Sequence, residues 1–329
     1  MTVQITIVGL GQIGASIGLA LAGQKGQVYR VGHDLEIGIA RRAEKMGALD
    51  KVMVNLPAAV READIVLLAL PVDQIRETLS AIKEDLKNGA VIMDTSPAKQ
   101  AVMNWAAELI PAERHYIGLM PAVNAIYLHE FETGVEAAHA DLFYNSLVGI
   151  VAPPRAHSDA IKLASDLVKL IGATPLFADL MEVDGLMAKT HILPQLMAAA
   201  LLDATYGQPG WAEGRKLAGK SYAEATAPIL IPTESKSLQA AALLNQVNVV
   251  RLIDALIAAL QAMRGEIAQE DAAALDKRLA YARRGREEWW NQRVTGTWPE
   301  DEPPPAEIPT ASEIFGRLIG MRKRDKDEK

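Results

Sequence analysis

Residues 4–22 read QITIVGLGQIGASIGLALA and constrain the fold more tightly than any other stretch. An apolar run stops at Gly9, Gly11 and Gly14, spaced G-x-G-x-x-G, and an apolar helical pattern begins at once. Each glycine has a mechanical reason. The first permits a tight turn, the second lets a pyrophosphate approach the backbone, and the third lets the helix pack closely on the strand. Phosphates would then sit at the helix N-terminus, where backbone N–H groups point outward without partners. The pattern predicts a strand, a turn and a helix opening a doubly wound sheet, with Gly9, Gly11, Gln12, Ile13 and Gly14 forming the cradle of a dinucleotide.

Glycines punctuate many strand-to-helix turns, so the surroundings decide. A second apolar strand over residues 27–32 leads to Asp34, 20 residues beyond Gly14. There an acidic side chain can accept hydrogen bonds from an adenosine ribose 2′-OH, which favours NAD. Arg30, His33, Arg41 and Arg42 stand close by and keep NADP open, because a 2′-phosphate needs only one or two well-aimed cations. Asp34 could equally cap a helix or shape a loop. A third element, ADIVLLALP at residues 63–71, is a near-continuous apolar strand of the kind a parallel sheet buries on both faces. Its end at Leu70 and Pro71 should lie at the carboxyl edge of the sheet, where ligands bind in open α/β folds.

Strand and helix patterns alternate up to residue 179, with further strands expected over residues 90–94, 115–118, 147–152 and 174–178. From residue 180 the texture changes. Apolar residues recur at helical spacing through 180–206, 211–226, 235–264 and 271–292, so residues 180–293 read as an all-helical domain. Leu201, Leu202, Val247, Val250, Leu252, Ile253, Leu256, Ile257 and Leu260 form wide stripes. These predict a homodimer, unless the core of one chain uses them all. Residues 294–329 hold a proline-rich linker, a short helical pattern at 312–321 and a charged tail.

Composition narrows the function classes. The 329 residues are enough for two domains with real cores. The uncharged run at residues 1–24 already reads as strand, glycine turn and helix, which argues against a membrane span. The start MTVQITIVG lacks the basic segment of a signal peptide, giving a cytoplasmic expectation. The absence of cysteine removes disulfides, thiolate nucleophiles and thiolate metal sites. No histidine pair has metal-ligand spacing, so no metal is expected. A net charge of -7 argues against nucleic acid as a partner.

Taken in order, several segments resemble the prephenate and arogenate dehydrogenases: GLGQIGASIGLAL (residues 9–21), Asp34 with GALD (47–50), ADIVLLALPV (63–72), MDTSPAK (93–99), YIGLMPAV (116–123) and VDGLMAKTHILPQL (183–196). The resemblance covers about the first 200 residues. It implies an NAD(P)-dependent enzyme of tyrosine biosynthesis, with a Rossmann domain followed by a helical dimerisation domain. The implied substrate is a small carboxylate.

Three segments depart from the family pattern. A G-G-H-P histidine, which would bond the reacting hydroxyl, is replaced by Met120 beside Pro121. The serine of a G-S-V-K turn appears one place early, as Ser96. The H-D-x6-S-H-L-P pattern becomes Val183-Asp184 and then His191-Ile192-Leu193-Pro194, which keeps a histidine one position early, turned about 100° around a helix. A thioether cannot take an alkoxide proton, so another base is needed.

Histidine or a desolvated lysine suits that role, making Lys189 and His191 the catalytic candidates with Ser96 in support. Lys189 also resembles the G-x3-K lysine of β-hydroxyacid dehydrogenases, after Gly185. Lys99, Asn124 and Arg215 are candidates for binding substrate carboxylates. Each of these has a plain alternative as a capping or solvated group. Two further readings stay open: a dehydrogenase or imine reductase for another small acid, and a nucleotide-binding protein without catalysis.

Overall fold

A strand with apolar residues on both faces requires cover on both sides, and the chain supplies it by winding helices alternately above and below one sheet. The computed structural model describes residues 2–24, 26–130, 132–230 and 235–298; the expected linker beyond residue 298, the 312–321 helix and the charged tail lie outside the described residues. Elements follow in the order β1 (Val3–Val8), α1 (Gln12–Ala20), β2 (Val28–His33), α2 (Ile37–Met46), β3 (Lys51–Val52), α3 (Leu56–Val60), β4 (Ile65–Leu68), α4 (Val72–Ile82), β5 (Val91–Asp94) and α5 (Lys99–Leu109). Next come β6 (His115–Pro121), β7 (Leu147–Val151), α6 (Ser158–Leu170) and β8 (Thr174–Phe177).

The described sheet has eight strands in the order β3-β2-β1-β4-β5-β6-β7-β8. Every pairing is parallel except β6 with β7. The chain order reverses between β1 and β4, the switch point at which open α/β sheets take ligands. Successive side chains of a strand point to opposite faces, and β4 shows the result: Ile65 and Leu67 join the core with α1, α2 and α6, while Val66 and Leu68 join the core with α4 and α5. In the antiparallel pair Met120 lies opposite Gly149. A Cβ on Gly149 would collide with the end of the Met120 side chain, so the small residue makes room for the large one.

Beyond β8 the described chain is helical: α7 (Leu180–Met187), a π-helical segment (Ala188–Ile192), α8 (Leu193–Thr205), α9 (Trp211–Leu217), α10 (Lys220–Thr226), α11 (Ser235–Leu244), α12 (Gln246–Ala268) and α13 (Ala272–Thr295). The helical half docks on the second core, to which it contributes Val183, Ala188, Ile192, Ala241 and Val249. Two patterns expected to be continuous are broken. Residues 235–264 divide at Asn245, which leaves helical geometry at φ -114°, ψ 32° and donates through Nδ2 to Asp184 O at 2.6 Å. Residues 211–226 divide at Gly219, an extended residue that caps α10.

Candidate active site

The turn after β1 behaves as the glycine spacing requires. Gly9 sits at φ +88°, in the left-handed region that L side chains avoid. A Cβ on Gly9 would meet the Ala69 carbonyl, and one on Gly14 would meet the Gly9 carbonyl. Gly11 differs, because a Cβ there would meet nothing within 4 Å. The space beside it is where a pyrophosphate could approach the backbone. Gly11 is also the N-cap of α1, with no side-chain cap bond and no acidic residue in the first turn. An anion there would therefore meet the N–H groups of Gln12 and Ile13 without displacing a protein partner. This open, uncapped cradle fits a dinucleotide, and Leu70 and Pro71 form the adjoining edge, with Leu70 Cδ2 against Gly9.

Asp34 follows directly on β2 and holds the turn from the side: Oδ2 accepts from Leu10 N at 2.8 Å and Oδ1 from Glu36 N at 2.9 Å. A carboxylate has about four acceptor positions, so ribose hydroxyls can still be received. The nearby cations are largely committed elsewhere. Arg30 is buried, bonding Asp50 Oδ1 at 2.7 Å, Gly18 O at 2.9 Å and Gly47 O at 2.8 Å. His33 Nδ1 is 2.9 Å from Met53 O, and Arg42 pairs with Glu136. Of the four cations expected to keep a 2′-phosphate acceptable, Arg41 alone is exposed without a pairing among the described residues.

At the end of β5 lies a buried polar cluster. Asp94 Oδ2 accepts from Ser96 N at 2.8 Å, Ser96 Oγ at 2.6 Å and Lys99 Nζ at 2.8 Å, while Asp94 Oδ1 accepts from the Tyr116 hydroxyl. Lys99 Nζ also donates to Asp94 O at 2.9 Å. From α7, Asp184 accepts the backbone N–H groups of Lys99, at 2.7 Å, and Gln100, at 3.2 Å, and so caps α5 from the other half of the chain. Burial lowers the Lys99 pKa against the pull of Asp94. Burial also drives the Tyr116 pKa well above its usual value, reinforced by Asp94, and raises that of Asp184 against its two backbone bonds.

Lys99, expected to bind substrate, has a side chain with no exposed surface and is engaged by the cluster. Ser96, expected in a catalytic role, is buried with its hydroxyl proton given to Asp94. Asn124 caps the short 3-10 turn Ala125–Tyr127 through its side chain at 3.2 Å. Arg215 is exposed on α9 and has no ion pair or hydrogen bond to another candidate among the described residues.

All three positions where the resemblance implies histidine are apolar and pack in the second core: Val183 and Ile192 are buried and Met120 lies against the same cluster. The one-place shift has the expected consequence, since Ile192 turns inward and His191 outward. Lys189 and His191 lie in the π-helical segment, a local widening of the helix that often marks functional sites. Thr190 Oγ1 donates to Leu186 O at 2.8 Å, so it can only accept from His191 Nδ1, 3.3 Å away. The ring proton is then held on Nδ1, and Nε2 keeps its lone pair. His191 reaches solvent, yet desolvation of the ring lowers its pKa.

Reading the sequence missed Asp94, Tyr116 and Asp184 as parts of this site, and also Arg293. The guanidinium of Arg293 comes from α13, donates to Val123 O just beyond β6, and has its pKa lowered by burial. The signal available for Asp184 was its retained place in the H-D motif. Nothing in the pattern of α13 marked Arg293.

Residues 17–176 match the family model for the nucleotide-binding domain of prephenate dehydrogenase. Prephenate dehydrogenase of Bacillus subtilis (strain 168) is 27% identical over 205 residues, covering 61% of this chain and 53% of that protein. The match thus spans about half the length of the Bacillus enzyme, as it does for prephenate dehydrogenase of Lactococcus lactis. Cyclohexadienyl dehydrogenase of Zymomonas mobilis is 27% identical over 285 residues, covering 86% of this chain and 94% of that protein. The fold is shared with prephenate dehydrogenase from A. aeolicus, solved in complex with hydroxyphenyl propionate and NAD+, at a TM-score of 0.75 and 20% identity over 88% of this chain and 98% of the other. It is also shared with Synechocystis arogenate dehydrogenase, at a TM-score of 0.68 and 20% identity over 87% and 99%.

Proposed function

The chain belongs to the prephenate dehydrogenase family, and from that premise we propose that it is an NAD-dependent dehydrogenase that oxidises and decarboxylates prephenate or arogenate. The observation that carries this reading is the glycine turn just ahead of the matched residues, closed at Gly9 and Gly14 and open at Gly11. NAD, when bound, supplies the hydride acceptor. Gly11 and the first turn of α1 hold the pyrophosphate, and Asp34 receives the adenosine ribose.

His191 serves as the base, accepting the ring hydroxyl proton at Nε2. Its lowered pKa keeps the imidazole neutral at pH 7, as a base requires. Loss of carbon dioxide with aromatisation of the ring makes the step irreversible. Arg293, half-buried beside the loop after β6, is the best-supported cation for a substrate carboxylate. Ser96 and Lys99 act at one remove by fixing the end of β5 and the start of α5.

Met120 and Ile192, standing where the resemblance implies histidines, favour a second reading: a dehydrogenase or reductase of another small acid or imine, with exposed Lys189 as acid or base. The test follows formation of reduced nicotinamide with prephenate, arogenate and a panel of β-hydroxy acids, using NAD and NADP in turn. Turnover of prephenate or arogenate supports the first reading. Turnover of another acid alone replaces it with the second, and tight NADH binding with no turnover replaces both with a non-catalytic role.

A homodimer in the cytoplasm belongs to the same proposal. Helix α12 is long and apolar enough to cross a membrane by length and composition, yet little of it is covered within one chain. Val247, Val250, Ile257 and Leu260 are exposed, while Arg251, Asp254, Arg264 and Glu266 interrupt the apolar surface. The helix also packs on α8 and α13. A second copy pairing along α12 would cover the apolar face. Sedimentation should give a dimer, and Val250→Glu should shift it to monomer; a monomeric native protein would remove this part of the reading.

A further inference from the structure

A cleft of about 410 Å³ opens at the edge of the sheet opposite the glycine turn, where β6 starts and β7 ends. That volume lies within the range of small-molecule sites. Its floor is apolar, with Met103 of α5 and Ile110 just beyond that helix among the lining residues. Its rim is basic: Arg114, Arg155 and two imidazoles, His115 and His157, whose ring centroids are 5.4 Å apart.

The rim charges are not equally committed. Arg114 is held by Leu86 O through Nε and Nη2, and its Nη1 is 3.2 Å from Glu113. His157 Nδ1 accepts from Asp159 N at 3.3 Å and lies 3.7 Å from the Asp159 carboxylate. Arg155 is exposed and has no ion pair among the described residues. One guanidinium oriented by the Leu86 carbonyl and Glu113, with a second on the same rim that has no ion pair among the described residues, makes a setting for a carboxylate. The thioether of Met103 adapts readily to an apolar body below.

We propose that this cleft binds a small monocarboxylate with an apolar, ring-sized body, its carboxylate at Arg155 and Arg114 and its ring over Met103 and Ile110. Tyr116 forms one wall, and its hydroxyl donates to Asp94 in the buried cluster. The occupant therefore rests on a side chain that also braces the candidate active site. The proposal does not depend on which substrate the enzyme turns over.

The test titrates benzoate into the full-length protein carrying isotope-labelled methionine methyl groups, with Met103 assigned from Met103→Leu and Met120 from Met120→Leu. Met103 reports on the cleft and Met120 on the candidate active site. Benzoate is expected to move the Met103 signal saturably and leave Met120 in place. Arg155→Glu, a change at an exposed side chain, is expected to weaken binding by about tenfold or more while leaving the melting temperature unchanged. Inorganic phosphate, which lacks an apolar body, is expected to leave Met103 unmoved. The proposal is overturned if Met103 does not respond, if only Met120 responds, if Arg155→Glu binds as well as the native protein, or if phosphate acts as benzoate does.

Discussion

Lys99 Nζ stands 2.8 Å from Asp94 Oδ2, and neither side chain has any exposed surface. The same carboxylate receives Ser96 and Tyr116, and Asp184 caps the helix that Lys99 begins. A buried ion pair gains little over an apolar pair of the same shape, but removing one partner strands the other charge at a cost of about 3–5 kcal/mol. Lys99→Met should therefore lower the urea midpoint by a loss of about that size. Asp94→Asn combined with Lys99→Met should recover a large part of it. A double variant no more stable than Lys99→Met would mean that the loss comes from packing and not from the stranded charge.

The pH dependence of His191 has a fixed sign. Its folded pKa lies below the ordinary histidine value of about 6.5, so the unfolded chain binds more protons in the window between the two. Stability should fall as the pH is lowered through that window, and His191→Asn should remove this contribution to the melting temperature. The base function runs in parallel. The acidic limb of kcat/KM should lie below pH 6.5 or so, and His191→Asn should abolish it with a loss of about 10²–10⁴-fold in rate. Retention of both rate and limb would move the base elsewhere, with Lys189→Ala as the next variant to measure.

Local patterns revealed the glycine turn, the parallel strands and the change of texture at residue 180, because each depends on residues close in the chain. What stayed hidden depends on partners far apart in sequence. Lys99 looked like a cleft cation because it opens a helix at the sheet edge; only the fold brings Asp94, Tyr116 and Asp184 around it. Arg30 looked available to a 2′-phosphate, but its side chain turns inward to Asp50 and two carbonyls. The break at Asn245 was masked by continuous helical periodicity on both sides, and its cause is a bond to Asp184 on another helix. The displacement of histidine from position 192 to 191 was legible, and so was its rotation, because helix geometry alone sets the face.

Asp34 should determine the choice between cofactors. With Arg30 and Arg42 paired and His33 held by a carbonyl, little remains to neutralise a 2′-phosphate, and the Asp34 carboxylate repels it. NAD should therefore be preferred to NADP in kcat/KM by about tenfold or more, the effect of making or losing one charge-assisted hydrogen bond. Asp34→Asn keeps an acceptor for Leu10 N and removes the charge, so it should narrow the ratio chiefly by improving NADP. Equal use of both cofactors by the native enzyme would mean that Arg41 or a rearranged neighbour reaches the phosphate.

Two substitutions in the opening turn should have opposite profiles. Ala at Gly14 places a Cβ against the Gly9 carbonyl, so strand and helix must separate. Gly14→Ala should lower the melting temperature and weaken NADH binding together. Ala at Gly11 meets nothing in the protein, and its extended backbone at φ -69° suits any residue. Gly11→Ala should leave stability within about 0.5 kcal/mol of native, the usual range for a change that disturbs no packing. Its Cβ would nevertheless occupy the room through which a pyrophosphate reaches the backbone, so NADH affinity, read by fluorescence titration, should fall by about tenfold or more. If Gly11→Ala binds NADH normally, the pyrophosphate does not lie over this turn. The shared loss expected of Gly14→Ala would then reflect unfolding and not a damaged cradle.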